Sequence, residues 1–320
     1  MTTRPRRTTL RDVANHAGVS IWTASNTFSN PARVAEATRQ RVLHAATLLD
    51  FAGPNPGARS LARGATQMVA FVGPGDAELL LGDPAAALVA RGLLSVCDRA
   101  GLSLVLTGQP NGQMVDGRVF FRNPAQESLR GPVVVVDDVG PEGTQTVSAD
   151  VRTGAAALGR HLRSLRHSNI GVISYPGADA RLAGAADALE DLGPLRVFLN
   201  ESAQARWPTQ ADGEAAARAA LALVPRPTAL LALSDTLAIG ALEAAHRLGL
   251  RVPQDVSIAG LDDLPGSDAR GLTTALVPYR PMGELAGDLL IARMSGHPYP
   301  AVAPLPVPLS ARRSTAVPPS

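Results

Sequence analysis

The 320-residue chain is poor in several residue types, and each shortage narrows the possible functions. Its single cysteine, Cys97, excludes an internal disulfide, and six scattered histidines lack the spacing of a metal site. We therefore expect no metal and no cofactor, and we expect Cys97 to be a buried helical residue. No apolar run reaches the roughly 18 residues that span a bilayer, and the N-terminus lacks the apolar region of a signal peptide. These features predict a cytoplasmic protein.

Lysine is absent too, so all 30 basic residues are arginines, and their distribution is uneven. Residues 1–64 contain nine arginines and only three acidic residues, whereas the rest of the chain has a small acidic excess. A basic segment followed by a mildly acidic body favours contact with a polyanion. A solvated charged arm is the alternative.

The basic segment has the periodicity of short helices. The apolar residues of the first helix share one face: Leu10, Val13, Ala14 and Ala17. Thr9 is the predicted N-cap, with Asp12 completing the cap, and Gly18 permits a tight turn. Ser20 can cap a second helix, in which Ala24 and Phe28 point inward. Two short helices joined by a glycine turn form a helix-turn-helix unit.

A third helix is predicted over residues 35–49. Its expected buried residues are Val42, Leu43, Ala46 and Leu49.

The outer face of the second helix carries Ile21, Trp22, Ser25, Asn26 and Ser29. The start of a recognition helix lies in the major groove, so its outer residues must be able to read base edges. Asn26 can pair with adenine N6 and N7, and Ser25 can reach a base or a phosphate. Ile21 and Trp22 can press on thymine methyls or sugars; the alternative is that they pack against another part of the chain.

Three motifs follow one another in a fixed order: LRDVANHAGVS at 10–20, VAEATRQRV at 34–42 and PNPGARSL at 54–61. In sequence and spacing they resemble the lac repressor family. Many members of that family carry arginine where this chain has Asn26, so we expect a preference for adenine instead of a guanine contact.

The resemblance implies that residues 54–64 form a hinge helix on DNA, with Leu61 wedged into the minor groove and Arg59 facing phosphate. Gly57 costs about 1 kcal/mol relative to alanine in a free helix, which suits a segment that orders on binding. The candidate DNA contacts are Thr9, Ser20, Ile21, Trp22, Ser25, Asn26, Arg33, Asn55, Arg59 and Leu61.

From Met68 onward, short β-branched runs alternate with alanine-rich helical stretches, as in a parallel α/β sheet. The expected fold class is a small all-α helix-turn-helix head followed by an α/β body with parallel sheets. The resemblance implies a two-lobed, periplasmic-binding-protein-like body. Only residues 109–115 separate LVLTG from DGRVFF, too few for a helical crossover, so we expect a shortened first lobe.

Ligands of such bodies bind at the carboxyl ends of strands. Arg181 matches the family arginine that grips the effector, and Asp235 and Asp262 end two predicted strands. Paired carboxylates and a guanidinium suit ligand hydroxyls. Trp207 could stack on an apolar ligand face. Asp235 could instead cap the following helix, and Trp207 could be ordinary core or surface.

We therefore interpret the chain as a DNA-binding transcriptional regulator of the repressor type, and not as an enzyme. The predicted domains are residues 1–53 (head), 54–64 (hinge) and 65–320 (effector binding and dimerisation). A homodimer would bind a pseudo-palindromic operator and respond to a small effector such as a sugar.

Three alternatives remain. VGPGDAE at 72–78 offers a weak Gly-x-Gly signal for a Rossmann-like nucleotide-dependent enzyme. A secreted solute-binding protein would share the body but not the head. A regulator could also have lost its effector response.

Overall fold

The computed structural model of the chain describes residues 8–51, 65–73, 75, 77–108, 114–122, 131–137, 140, 142–199, 208–298 and 301–319. Internal contacts divide the chain into residues 1–67 and 68–320. The proposed hinge at 54–64, with Asn55, Arg59 and Leu61, lies outside the described residues, as does Trp207. The boundaries at 53 and 64 stay predictions.

The described residues of the first unit form three α-helices: α1 (Leu10–Ala17), α2 (Ile21–Ser29) and α3 (Glu36–Leu48). A single 3-10 turn, Pro31–Arg33, precedes α3. Thr9 and Asp12 form a reciprocal capping box at the start of α1, as predicted. Gly18 has a φ of 63°, which requires the conformational freedom of glycine, and Ser20 caps α2 by accepting from the Thr23 amide.

The core of this unit differs from the prediction at one residue. Ala45, not Leu43, joins Val42 and Ala46 in the buried stripe of α3, and Leu43 is 37% exposed. Residues three and four positions after Val42 share its face, whereas the next residue points away. Leu49 is half-buried against the cluster, so the stripe follows the spacing 42, 45, 46, 49.

The second unit begins with an α/β lobe. Its elements are β1 (Met68–Val72), α4 (Ala77–Gly82), α5 (Pro84–Ala100), β2 (Ser103–Thr107), β3 (Gly117–Phe121), β4 (Val133–Val136) and β5 (Gln145–Val147). The five strands are parallel, in the order β2-β1-β3-β4-β5. Cys97 is buried on α5, as predicted.

A second parallel lobe follows, with the strand order β7-β6-β8-β9. Its elements are α6 (Val151–Ser164), β6 (Ile170–Ile173), α7 (Asp179–Leu189), β7 (Arg196–Phe198), α8 (Gln210–Leu221), β8 (Ala229–Ala232), α9 (Asp235–Arg247) and β9 (Ser257–Ala259). A 3-10 turn, Glu190–Leu192, follows α7. The chain then forms β10 (Thr274–Ala275), α10 (Tyr279–Met294) and β11 (Leu309–Ser310), with β10 and β11 antiparallel. Helix α10 returns to the first lobe and packs on α5.

The first lobe is shortened where the sequence predicted. Strands β2 and β3 pair with opposite sides of β1, yet residues 108–116 alone connect them. One face of this sheet packs in a core cluster with α5 and α10. The cluster on the other face consists of strand residues and Val115, with no residue from a described helix. Within the described residues, the core of this face is therefore formed without a helix.

Glycines bring helix backbones together in both lobes. A Cβ on Gly283 of α10 would lie 2.0 Å from the Val89 carbonyl oxygen of α5. A Cβ on Gly184 of α7 would lie 2.0 Å from the Arg152 carbonyl oxygen of α6. Such contact is possible only without side chains, so α10 is closely packed on the first lobe and α7 on the second.

None of the helices in the described ranges is long and apolar enough to cross a bilayer.

Candidate functional site

Helix α2 presents two large apolar side chains to solvent. Ile21 is 44% exposed and Trp22 is 65% exposed, while Ala24 and Thr27 on the opposite face are buried. Phe28 is half-buried and meets Phe51 edge to face, with ring centroids 5.8 Å apart. The inward direction predicted for Ala24 and Phe28 is confirmed. Within the described residues, Ile21 and Trp22 belong to no core cluster.

Most hydroxyls of α2 are already used by their own helix. Thr27 donates to the Thr23 carbonyl, and Ser29 donates to the Ser25 carbonyl. Asn26 differs, because its Nδ2 donates to the Trp22 carbonyl at 3.0 Å and leaves a second N–H and an acceptor oxygen. Helix α2 contains no charged residue. Its outer surface is therefore neutral and combines apolar groups with one amide.

The other candidate DNA contacts of the head lie near its helix ends. The Thr9 hydroxyl donates to the Asp12 carboxylate, and the Ser20 hydroxyl caps α2. Arg33 is exposed on the turn between α2 and α3. Arg39 pairs with Glu36, which hydrogen-bonds both Gln40 and Arg39 and has its pKa lowered by them.

A second candidate site lies between the two lobes and is centred on Arg181. Its guanidinium is almost completely buried and donates from Nη1 to the Leu233 carbonyl and to Asp262 Oδ1, both at 2.8 Å. Nη2 donates to the Tyr279 hydroxyl at 3.0 Å, and that hydroxyl donates to Asp262 Oδ1 at 2.7 Å. The structure thus brings the predicted residues Arg181 and Asp262 together in a buried ion pair.

The first lobe contributes a separate charged cluster. Arg122, directly after β3, pairs with Asp137 after β4 and with Asp83 at the start of α5. Its Nη2 also donates to the Tyr279 hydroxyl at 3.4 Å, and its Cζ lies 4.7 Å from the Phe121 ring centroid. Asp83 additionally caps α5 through the Ala85 amide.

Several of these residues have a backbone conformation that is unfavourable for side chains. The φ angles of Arg122, Asp137 and Asp262 are 56°, 60° and 137°. Each follows a strand of a parallel sheet, at the carboxyl edge where ligands usually bind. Positive φ at a non-glycine residue costs of order 1–3 kcal/mol and is frequent at ligand sites. The fold maintains these conformations to direct charged groups into the cleft.

Burial and ion pairing set the charges of the cluster. Burial alone would lower the pKa of the Arg181 guanidinium, but the neighbouring Asp262 carboxylate raises it well above its ordinary value. Burial and the Asp262 charge raise the pKa of Tyr279 far above its usual range, so its hydroxyl stays protonated. Burial also raises the pKa of Asp83, an effect that Arg122 opposes.

Asp235, the third predicted effector residue, has a different environment. Its carboxylate is inaccessible to solvent and accepts from Ser267, Thr274 and the Leu264 amide. Burial, reinforced by the Asp262 charge, raises its pKa to about 6. The helix cap proposed for Asp235 is provided by Ser234, one residue earlier. These contacts favour a role in joining α9 to the turn before β10.

Sequence reasoning missed the first-lobe half of the site. Arg122 and Asp137 follow the runs GRVFF and VVVV, so the strand-end signal that located Asp262 also applied to them. Tyr279 and Asp83 gave no comparable signal, because they lie at helix starts. Within the described ranges, no group of three or more histidine, cysteine or acidic side chains could hold a metal ion.

Comparisons with known proteins find matches for both units of the chain. Residues 9–55 match the family of bacterial regulatory proteins called lacI, and residues 160–315 match a periplasmic binding protein-like domain. The transcriptional repressor CytR of Escherichia coli K12 is 31% identical over 315 residues, which covers 90% of each chain. This relative is a transcriptional regulator, not an enzyme.

Two solved structures extend the similarity over the whole chain. The lac repressor bound to ONPG in the repressed state has a TM-score of 0.80 at 26% identity, covering 97% of this chain and 100% of that one. The regulator CelR in complex with cellobiose has a TM-score of 0.68 at 26% identity, covering 96% and 100%.

Proposed function

The chain belongs to the lacI family of bacterial regulatory proteins, and from this premise we propose that it represses transcription by binding an operator under the control of a small molecule. The observation that carries the proposal is the exposed, neutral face of α2 on a head unit rich in arginine. A second candidate, catalysis, has no comparable support, because the described charges of the cleft pair with one another.

The DNA-binding step follows from the chemistry of α2. Arginines around the helix bind phosphates and give affinity, whereas the α2 side chains contact base edges and give specificity. We assign base contacts to Ile21, Trp22, Ser25 and Asn26, and positioning roles to Thr9, Ser20 and Arg33. Because one head covers a half-site, a two-fold operator calls for a homodimer. A protein that binds chromosomal operators acts in the cytoplasm.

Asn26 is the proposed adenine reader. The hydrogen bond to the Trp22 carbonyl fixes its amide and leaves one donor and one acceptor, which match adenine N7 and N6. Operators selected from random duplexes by the full-length protein should contain an adenine whose replacement by 7-deazaadenine weakens binding about tenfold or more. Asn26→Ala should weaken binding and abolish that sensitivity. If the wild type binds the normal and the deaza operator with equal affinity, the contact is refuted.

The selection experiment also tests the whole proposal. At moderate salt, a specific regulator should prefer its selected site over random duplex by at least about a thousandfold. Leu61→Ala should reduce specific binding far more than nonspecific binding if the hinge leucine wedges into the minor groove. A protein with no sequence preference at all would not be a repressor of this kind.

We place the effector between the lobes, on Arg181 and Asp262. Both lie at the carboxyl edge of the second-lobe sheet, and together they can donate to and accept from ligand hydroxyls. Arg181 and Arg122 are each paired with an aspartate, which disfavours an anionic ligand. We therefore propose an uncharged polyhydroxy compound such as a sugar or nucleoside. Trp207 stays a candidate for stacking on an apolar face of the ligand. For Asp235 we favour the structural role.

Thermal shift of the full-length protein with cellobiose, ribose, adenosine and cytidine would test the effector site. A ligand at about 100 times its Kd stabilises the native state by about 2.7 kcal/mol and raises its melting temperature. Arg181→Met should abolish the shift. The matched variant Arg152→Met, which breaks an exposed pair with Asp187, should retain it. If no compound shifts the wild type, the alternative of a lost effector response gains support.

A further inference from the structure

The Tyr279 hydroxyl is the point at which the charged groups of both lobes meet. It accepts from Arg181 of the second lobe at 3.0 Å and donates to Asp262 at 2.7 Å. On its other side, Arg122 of the first lobe donates to it at 3.4 Å. A phenolic hydroxyl has one donor and two acceptor positions, so these three contacts use its whole capacity.

The groups joined by this hydroxyl are firmly attached to different lobes. Tyr279 is the first residue of α10, whose Gly283 touches the backbone of α5. Arg181 lies on α7, whose Gly184 touches the backbone of α6. Neither helix can slide on its own lobe without a backbone collision, so a change in lobe angle must alter the geometry at the hydroxyl.

Asp262 extends the connection to residues 274–278, the crossing segment, which leads from the second lobe to the start of α10 on the first lobe. Its amide donates to the Ala275 carbonyl at 2.9 Å, and its carbonyl accepts from the Val277 amide at 3.1 Å. The same residue therefore holds the crossing segment by its backbone and Tyr279 by its carboxylate. Its φ of 137° shows that this arrangement is maintained against an intrinsic backbone cost.

We propose that the Tyr279 hydroxyl is a cross-lobe tie, a positioning group that fixes the crossing segment and the two proposed effector residues. It is buried, and its bonds are made to charged partners, which makes each of them stronger than a neutral hydrogen bond. Tyr279→Phe keeps the ring and its packing but removes the oxygen that makes these three bonds.

The regulatory consequence rests on the proposed effector site. An effector hydroxyl that reaches Arg181 and Asp262 has to share or replace the bonds that Tyr279 now makes. Occupancy of the cleft would then be transmitted directly to α10 and the crossing segment.

Hydrogen exchange of the effector-free, full-length protein tests the tie without knowledge of the effector. Wild type, Tyr279→Phe and the control Tyr175→Phe are compared in peptides covering residues 258–264 and 273–279. Tyr175 is suitable because its ring is 6.0 Å from the Arg181 guanidinium, yet its hydroxyl makes no hydrogen bond within the described residues. Peptides from α9 report global unfolding.

Tyr279→Phe should speed exchange in the two crossing peptides about tenfold and leave α9 unchanged, whereas Tyr175→Phe should change neither. Arg122→Met, which removes the longer bond together with the ion pairs to Asp83 and Asp137, should also speed exchange in the same peptides. Unchanged exchange in Tyr279→Phe, or equal acceleration across the chain, would overturn the proposal. If the wild type shows no sequence-specific DNA binding, the proposed function is refuted, but the result of the exchange experiment still decides whether the tie exists.

Discussion

Removal of the Arg181 guanidinium should expose how much the interlobe site depends on charge pairing. Arg181→Met keeps most of the buried stem but leaves Asp262, which is 5% exposed, with Tyr279 as its remaining side-chain donor. Breaking a buried ion pair in this way costs about 3–5 kcal/mol, because one charge stays buried and uncompensated. The total stability of a domain is commonly about 5–15 kcal/mol, so the variant should still fold.

The loss should depend on pH in a defined direction. Burial already raises the pKa of Asp262, and Arg181 opposes that rise, so the variant should have a still higher pKa. A carboxyl group whose pKa is higher in the folded than in the unfolded state contributes stability at low pH, which is lost as the pH rises through the folded pKa. The variant should therefore be closer to wild type at pH 5 than at pH 8.

Urea denaturation followed by circular dichroism at both pH values gives the required free energies. Arg152→Met is the matched control, because its ion pair with Asp187 is exposed and should contribute less than about 1 kcal/mol at either pH. In Arg181→Met/Asp262→Asn the buried charge is absent, so the pH dependence should disappear. A loss below 1 kcal/mol, or an equal loss at pH 5 and pH 8, would refute the reasoning.

Three further predictions concern the fold around the sites. The pKa of Asp235 is raised to about 6, so ionisation of its carboxyl group destabilises the folded state as the pH rises. Wild type should therefore lose about 2 kcal/mol of unfolding free energy between pH 4 and pH 7 through this group, and urea denaturation should show that Asp235→Asn does not lose it. Gly283→Ala would place a methyl 2.0 Å from the Val89 carbonyl oxygen and should cost at least about 1–3 kcal/mol, whereas Gly82→Ala, with open space around it, should be near neutral in the same thermal melts. Thr9→Ala should destabilise the head by about 1 kcal/mol, seen as a lower melting temperature of α1, because it removes the capping box; an unchanged melt would contradict that role.

The head was largely predictable because its signals are local. A cap residue, a glycine with positive φ and an apolar stripe each depend on neighbours within a few positions, and Thr9, Gly18 and Ser20 have the predicted roles. The error at Leu43 has the same origin, since a one-residue choice among apolar positions is decided by the phase of the helix against its partners.

The interlobe site was only half predictable because it depends on long-range pairing. Arg181 and Asp262 are far apart in sequence. The family resemblance indicated Arg181 and the end of a strand indicated Asp262, but neither signal predicted their direct ion pair. Asp235 satisfied the same rule, yet its oxygens are occupied by Ser267, Thr274 and Leu264. The rule locates an edge of a sheet and does not tell which groups at that edge are already satisfied.

The shortened crossover between β2 and β3 and the charged cluster beside it are parts of one arrangement. Only residues 108–116 connect β2 to β3, and the core cluster on the sheet face opposite α5 and α10 contains no residue from a described helix. Arg122 and Asp137 come from the two strands that follow, and both adopt costly backbone conformations to reach the cleft. Among the described contacts between the lobes, the Arg122 guanidinium and the Tyr279 hydroxyl therefore form a polar connection, which is sensitive to any molecule that competes for its hydrogen bonds.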